Sequence, residues 1–418
     1  MIKKLTSLAV VLALFFALTG QAVSAAPSVT QTSASIGFPN TLTFNISTTS
    51  SADITDIRLH YVIERASLAN VTSEVTVSFT AGKKADASWV LEMVKLGGLP
   101  TGTIIDYWWT VTDSTGGKTD SAKSKVIFED KRYTWKSVTD GLLTIYWYNG
   151  TDAFTGSLMT AAKDGLQRLA DKTGAVPGKP IRIYIYSGTQ DMQGALINPQ
   201  EWTGGVNFPA YSIIIIGIAP SDLSWGVSAI AHELTHQIVG QVIQNPYGGL
   251  PTWLDEGLAV NNEQPPAQDY PGIVSQGIAA NALITIRSLA SPFSANGNQA
   301  NLSYSESYSV VKYLIDKYGE SKMLELLKTF HGGSTYDNAL KSVYGFDMDG
   351  LNAEWRATLS GAPKASTAAS KGGAALVPSG FDGLFGSLAA NTPFAFVVAT
   401  GSMIVNRRKR DRIKVYTN

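Results

Sequence analysis

Two short segments hold residues of the types and spacing that a catalytic metal ion requires. Residues 232–236 read His-Glu-Leu-Thr-His, and Glu256 follows twenty positions after the second histidine. On a helix, His232 and His236 share one face, so both imidazoles can bind one ion. Zinc hydrolases typically take three protein ligands and leave a fourth position for water, toward which Glu233 could act as general base. We therefore predict that His232, His236 and Glu256 bind Zn²⁺ and that Glu233 is catalytic.

The residues around Glu256 resemble those of a known family. Residues 253–259 read Trp-Leu-Asp-Glu-Gly-Leu-Ala, similar to the third-ligand helix of gluzincins, the zinc peptidases with a His-Glu-x-x-His helix and a downstream glutamate ligand. The resemblance covers roughly residues 135–360 and is greatest to the aminopeptidase branch and to the peptidase MA-like domains of bacterial surface proteins. In that branch a second glutamate, two helical turns beyond the ligand, braces a zinc-bound histidine. The resemblance implies this role for Glu263, because a carboxylate on the outer imidazole N–H fixes the tautomer.

One segment departs from the aminopeptidase pattern. Exopeptidases of that branch carry Gly-x-Met-Glu-Asn on the strand before the zinc helix, and its glutamate holds the free amino group of the substrate. Here residues 204–209 read Gly-Gly-Val-Asn-Phe-Pro, and only Glu201 lies nearby in sequence. The missing glutamate favours an endopeptidase over an aminopeptidase. The apolar strand that follows, 212–218, could pair through its edge with an extended peptide or lie buried in the centre of a sheet.

A tyrosine is the expected donor to the oxyanion of peptide hydrolysis. Such a donor beside the metal stabilises the tetrahedral intermediate, and the family resemblance implies that it comes from the helical half. Tyr304 and Tyr308 lie just before a predicted helix over 310–318. We expect Tyr304 to be catalytic, because its position where the chain enters the helix would point it toward the cleft. Tyr308 is the alternative, and a third possibility is that both tyrosines only pack.

The two ends of the chain predict export and anchoring. Lys3 and Lys4 precede the apolar run 5–18 and the small residues 24–26, which is the pattern of a signal peptide over 1–26. Near the other end, residues 384–405 hold no charged residue and 407–410 are all basic. We predict a transmembrane helix over 384–406 and a short basic cytoplasmic tail over 407–418, the alternative being an exposed tail or sorting segment. The intervening 361–383 is predicted to be a flexible linker.

The composition restricts the function further. The chain has no cysteine, so it contains neither a disulfide nor a thiolate ligand or nucleophile. Its formal net charge is zero, which gives no electrostatic reason to expect a nucleic acid partner.

The patterning predicts a multidomain protein. Residues 27–130 show short alternating runs separated by turns, which favours an immunoglobulin-like or fibronectin-like all-β sandwich. Residues 131–360 alternate strands (141–148, 181–186, 212–218) with helices (155–172 and about 221–242) and then become mostly helical. The resemblance implies an α+β gluzincin catalytic domain with a helical C-terminal half.

These observations predict an exported, membrane-anchored zinc-dependent peptidase with an extracytoplasmic catalytic domain. Its substrate would be a peptide or protein, cut as by an endopeptidase rather than an aminopeptidase. Two alternatives belong to other classes. One is an inactive zinc-bearing binding module at the cell surface, and the other is an amidohydrolase that acts on non-peptide envelope material.

Overall fold

The computed structural model describes residues 26–65, 70–199, 203–245, 247–294 and 296–359, together with the backbone of 414–416. The predicted signal peptide up to residue 25, the linker, the transmembrane segment and nearly all of the tail lie outside these ranges, as does Glu201. Within the described ranges, no helix combines the length and apolar character needed to cross a membrane.

The first seven strands form the N-terminal β-rich domain. They are β1 (Ser28–Gly37), β2 (Thr41–Ile63), β3 (Thr72–Thr76), β4 (Gly82–Glu92), β5 (Thr103–Asp113), β6 (Lys118–Asp120) and β7 (Ser124–Phe128). The 23-residue strand β2 belongs to both layers of this domain. Its first half pairs with β1 and β4, and its second half pairs with β3 and β5, all antiparallel. A short strand β13 (Lys414–Tyr416) pairs with β3.

The core of this domain lies between the two halves of β2. Phe44, from the first half, is fully buried and lies 5.0 Å, centroid to centroid, from the ring of Tyr107 on β5. Leu59, from the second half, and its pairing partner Trp109 are also fully buried. Inward side chains from both layers therefore share one apolar core, and the predicted all-β sandwich is confirmed.

A second sheet begins the following domain. Its strands are β8 (Lys136–Asp140), β9 (Leu143–Trp147), β10 (Ile181–Tyr186), β11 (Gly205–Phe208) and β12 (Ile213–Gly217), in the order β11-β12-β10-β9-β8. The three inner strands are parallel, whereas β8 and β11 are antiparallel edge strands. Strand β12 is buried along its whole length. The predicted strand 212–218 is therefore an inner strand of the sheet. The alternative prediction, that a peptide pairs with its edge, is wrong because β11 already pairs there.

Ten helices complete the described part of this domain. They are α1 (Asp152–Thr173), α2 (Thr189–Gln193), α3 (Leu223–Val242), α4 (Thr252–Asn262), α5 (Tyr270–Ala279), α6 (Ile286–Leu289), α7 (Gly297–Tyr318), α8 (Glu320–His331), α9 (Tyr336–Tyr344) and α10 (Met348–Leu359). Helices α1 and α3 cover one face of the second sheet and share a core with isoleucines of β10 and β12. A separate core, which includes Trp253 and Trp355, joins the helices of the C-terminal half. The predicted α+β arrangement with a helical half is confirmed.

One predicted helix boundary is wrong. The helix expected over 310–318 begins at Gly297, where the Asn296 side chain accepts hydrogen bonds from the N–H groups of Asn298 and Gln299. Residues 297–303 are mostly small and polar, so their sequence has the composition of a loop although the cap starts a helix. Tyr304 and Tyr308 consequently lie inside α7 and not where the chain enters it.

The two domains are joined through buried polar contacts. Asp130 is fully buried and accepts hydrogen bonds from the Tyr186 hydroxyl (2.9 Å) and from the Arg132 Nε (2.8 Å) and Nη2 (2.7 Å). Arg182 Nη1 on β10 donates to the Gly102 carbonyl of the sandwich at 2.6 Å. These contacts fix the sandwich against the second sheet.

Glu306 on α7 leads to a prediction about stability and pH. Its carboxyl is buried and accepts a hydrogen bond from the Ile284 N–H at 3.0 Å. Burial raises the pKa of this carboxyl from 4.5 to about 8. The folded protein binds this proton more tightly than the unfolded chain does. Protonated Glu306 therefore contributes its full stabilisation below pH 4.5, and that stabilisation is lost as the pH rises through 8. We expect Glu306→Gln to be more stable than the parent at pH 9 by on the order of 2–4 kcal/mol, with little difference at pH 4. Urea unfolding followed by the helical circular dichroism signal measures this.

The matched control is Glu325→Gln, at an exposed glutamate of α8. It should follow the parent at every pH. A Glu306→Gln curve parallel to that of the parent from pH 4 to 9 would contradict the prediction.

Candidate metal centre

The three predicted ligands converge on one point between α3 and α4. The Nε2 atoms of His232 and His236 lie 3.2 Å apart, and each lies 3.5 Å from Oε2 of Glu256. All three side chains are buried. Ligand atoms placed 2.0–2.1 Å from a tetrahedral zinc ion are about 3.3 Å from one another. The triangle of donor atoms therefore has the dimensions that one such ion requires.

The local packing explains why Glu256 reaches the histidines. Helix α4 begins directly after Pro251 and presents Glu256 on its buried side. The next residue, Gly257, lies against α7 so closely that a Cβ atom there would be 2.5 Å from the Ser307 carbonyl oxygen. The absence of a side chain at Gly257 thus lets α4 lie between α3 and α7.

A carboxylate lies beside the outer nitrogen of each histidine. His232 Nδ1 lies 2.9 Å from Glu263 Oε1, as the resemblance implied for Glu263. His236 Nδ1 lies 3.1 Å from Asp255 Oδ1, a contact that the sequence reasoning missed. Its only signal was an acidic residue next to Glu256. Each carboxylate favours the tautomer with hydrogen on Nδ1, which leaves Nε2 free to bind a metal.

The electrostatics of the cluster favour a cation. Burial alone opposes a charge on His236, yet Asp255 and Glu256 raise the pKa of its imidazole well above the usual value. Burial also opposes a charge on His232, but Glu256 and Glu263 outweigh it and raise the pKa of its imidazole. Positive charge is therefore stabilised at the place where the three ligands meet.

The end of α4 is fixed by contacts with two other helices. Asn262 Nδ2 donates to the Gly165 carbonyl of α1 (3.1 Å) and to Thr235 Oγ1 of α3 (2.9 Å). Arg168 Nη2 of α1 donates to the Asn262 carbonyl (3.0 Å) and Lys172 Nζ to the Asn261 carbonyl (2.8 Å). These cations satisfy carbonyls that have no partner within a helix at its C-terminus.

The second carboxylate oxygen of Glu263, which does not contact His232, also accepts hydrogen bonds. Its Oε2 accepts the Tyr270 hydroxyl at 2.6 Å and the Ala267 N–H at 2.8 Å. Since Glu263 follows the last residue of α4, the contacts at the helix end and those on its carboxylate together place it against His232.

Glu233 lies beside the cluster with its carboxyl free. It is fully buried, neither of its oxygens has a hydrogen-bond partner in the described protein, and burial raises its pKa to about 7. A Cβ atom at Gly205 of β11 would lie 2.6 Å from Glu233 Oε1, so a side chain there would displace the carboxyl from its present position. A buried carboxyl without a protein partner, with a pKa near neutrality, suits proton transfer.

Of the two candidate tyrosines, Tyr304 lies near the cluster. Its ring is buried, 6.5 Å from the His232 ring between centroids. Tyr308 instead stacks on Tyr270, with 5.4 Å between ring centroids. Tyr304 therefore remains the candidate donor, but the position expected for it, where the chain enters the helix, is wrong.

The segment that lacks the amine-holding glutamate forms β11. Its pairing with β12 aligns Gly205 with Ile216 and Asn207 with Ile214, on the face that α1 and α3 cover. Asn207 is fully buried, and neither its amide oxygen nor its amide nitrogen has a partner in the described protein. The α3-facing side of β11 therefore presents a neutral amide and no carboxylate.

One family model matches part of the second domain. Residues 161–361 match the model of the Peptidase MA superfamily, which confirms the resemblance. No curated protein is similar to the chain in sequence.

Similar solved structures include enzymes and a binding module. A two-domain M1 zinc metallopeptidase bound to L-arginine is 12% identical, with 79% of this chain and 94% of that chain covered and a TM-score of 0.35. Legionella pneumophila aminopeptidase A, in complex with aspartic acid, is 7% identical over 79% of this chain and 50% of that chain, with a TM-score of 0.35. A family 56 carbohydrate-binding module that binds β-1,3-glucan is 18% identical over 23% of this chain and 95% of that chain, with a TM-score of 0.16.

The outer carboxylates lead to a prediction about metal affinity. We expect Asp255→Ala and Glu263→Ala each to weaken zinc binding by about 10–100-fold, because the imidazole they hold loses its orientation and basicity. Competition with a fluorescent zinc chelator measures the affinity directly.

The control is Asp222→Ala, which removes an acidic residue before α3 whose side chain makes no capping hydrogen bond. Its zinc affinity should equal that of the parent. If both test variants also bound zinc as the parent does, the carboxylates would not support the metal site.

Proposed function

We propose that this chain, whose residues 161–361 match the model of the Peptidase MA superfamily, is a zinc-dependent peptidase. The observation that carries the proposal is the buried triangle of His232, His236 and Glu256 donor atoms, 3.2–3.5 Å apart, with the free Glu233 carboxyl beside it. Two imidazoles and one carboxylate are a ligand set of catalytic zinc. Oε2 of Glu256 has no hydrogen-bond partner in the described protein, which suits an oxygen that binds a metal.

The chemistry follows from the positions of the protein groups. When bound, zinc would act as a Lewis acid that lowers the pKa of water and polarises the peptide carbonyl. Glu233 accepts a proton from the attacking water and returns it to the leaving amine. Tyr304 donates its hydroxyl hydrogen to the oxyanion, while Asp255 and Glu263 keep the imidazoles in place.

We propose further that the enzyme cuts internal peptide bonds. An aminopeptidase must hold a protonated amine near the scissile bond, and a desolvated ammonium group needs a carboxylate partner. Asn207 occupies β11 on the side of Glu233, and its amide can bind a neutral peptide group but cannot neutralise an ammonium ion.

The proposed location outside the cell rests on the two ends of the sequence. The signal-peptide pattern of residues 1–26 and the uncharged segment before the basic residues 407–410 support export and a membrane anchor. The catalytic domain would then act outside the membrane.

The general base and the metal can be tested together. We expect the purified protein to hold about one zinc per chain and Glu233→Gln to keep it while losing peptide hydrolysis, because the change removes proton transfer but no ligand. His236→Ala should lose both zinc and turnover. Elemental analysis and a peptide-library assay, with and without chelator, measure the two properties.

Full activity in Glu233→Gln would exclude Glu233 as the general base. Protein with zinc but without turnover on any peptide would instead favour the binding module or the amidohydrolase.

The endopeptidase proposal predicts how blocked peptides behave. N-terminally acetylated peptides should be cut at internal bonds at least as well as free peptides, because no carboxylate awaits the amine. Asn207→Glu should introduce stepwise release of N-terminal residues from free peptides, whereas Asn207→Gln, of equal length but neutral, should not. Mass spectrometry of the products separates these outcomes. Stepwise loss from free peptides by the parent, with blocked peptides intact, would refute the proposal.

A further inference from the structure

A cavity lies where the β-sandwich meets the segment that leads into β11. Its volume is ≈ 210 Å³. The lining includes side chains or backbone of both domains: Gly98, Leu99, Ala195, Ile197, Val206 and Phe208. An apolar cavity of about 150 Å³ in another protein binds benzene, so this one has room for a side chain the size of leucine or phenylalanine.

The wall contributed by the sandwich is held firmly. Leu99 is 3% exposed and belongs to the sandwich core. A Cβ atom at Gly98 would lie 3.2 Å from Ile197 Cγ1, so the two domains touch at the cavity. The hydrogen bond from Arg182 to the Gly102 carbonyl fixes the same loop.

Strand β11 separates this cavity from the metal centre. Gly205 and Asn207 face α3 and Glu233, whereas the alternate residues Val206 and Phe208 line the cavity. Strand β11 is an edge strand, paired with β12 on one side and with no second strand among the described residues. A peptide that pairs with such an edge gains main-chain hydrogen bonds and directs its side chains alternately to the two faces.

We propose that the cavity binds an apolar side chain of the substrate, so that the β-sandwich forms part of the substrate-binding site. This proposal rests on the peptidase function proposed above. A peptide extended along β11 presents its scissile bond on the face of Glu233. A side chain on its opposite face, within a few residues of that bond, enters the cavity.

The composition of the cavity determines which side chains it accepts. Among the residues that the structure describes, those that line the cavity carry no charge. A lysine or aspartate side chain placed there would lose its hydration without gaining a partner, whereas leucine, methionine or phenylalanine would bury apolar surface. The cavity is therefore selective for apolar residues.

The test varies the cavity from the side of the catalytic domain. Ala195 is 2% exposed in the lining, so Ala195→Leu fills part of the cavity. In a peptide library, the parent should prefer a bulky apolar residue at one fixed distance from the cleaved bond. Ala195→Leu should lower kcat/KM for those peptides on the order of tenfold or more while leaving peptides with alanine there nearly unchanged.

Two further variants make the result specific. Ile197→Ala enlarges the cavity and should shift the preference toward phenylalanine and tryptophan. Ala282→Leu, at a partly buried alanine before α6 that is not part of the lining, should retain the preference of the parent. Equal loss of activity on all peptides in both cavity variants, or no apolar preference in the parent, would overturn the proposal.

A binding measurement separates this proposal from the catalytic one. Ligand-observed NMR should detect N-acetyl-phenylalanine amide bound to the parent in the presence of chelator, and binding to Ala195→Leu should be weaker by on the order of tenfold. If the protein cleaves no peptide but shows this difference, the peptidase function fails and the apolar site stands. Equal binding of the probe to both proteins would overturn the site even if the protein is an active peptidase.

Discussion

The position of α4 against α3 is the constraint on which the metal centre depends, because each helix supplies only part of the ligand set. A donor triangle with sides of 3.2–3.5 Å does not tolerate a slip of one helix past the other. Asn262 prevents such a slip, since its one amide nitrogen donates to both α1 and α3. Arg168 and Lys172 add charged donors at the same helix end. Two of the side chains that fix this helix end, Arg168 and Lys172, therefore come from α1, a helix that contributes no ligand.

The charges at the centre explain why this buried polar cluster favours a bound cation. Asp255, Glu256 and Glu263 all lie within 3.5 Å of an imidazole nitrogen, and Glu233 lies on the same helix as both histidines. Desolvated carboxylates are costly unless paired. When their Nε2 atoms bind a metal, the two imidazoles are neutral and supply no positive charge, so a divalent ion would then be the counter-charge of the carboxylates. The same ion would organise the ligands and offset the cost of burying them.

The sequence predicted those features that depend on local spacing and missed those that depend on tertiary contacts. The interval between His232 and His236 is a helical period, so their shared face could be anticipated, whereas the role of Glu263 was implied by the family resemblance. The contact of Asp255 with His236 depends on the rotation of α4, which no local pattern encodes. Similarly, the isoleucines of β12 indicated a strand, but the order of strands made β11 the edge. The first turns of α7 lack apolar periodicity, and their helical state depends on the Asn296 cap and on packing.

The continuous strand β2 has a consequence for how the sandwich acquires its structure. Because its first half pairs with β1 and β4 and its second half with β3 and β5, one polypeptide segment sets the register of both layers. A slip by one residue would turn the buried side chains of both layers outward at once. The two layers should therefore form in a single cooperative event. The partners of β2 extend to β5, so this event must await synthesis of the chain through about residue 113. Such non-local pairing makes folding slower than that of a helical domain of the same length.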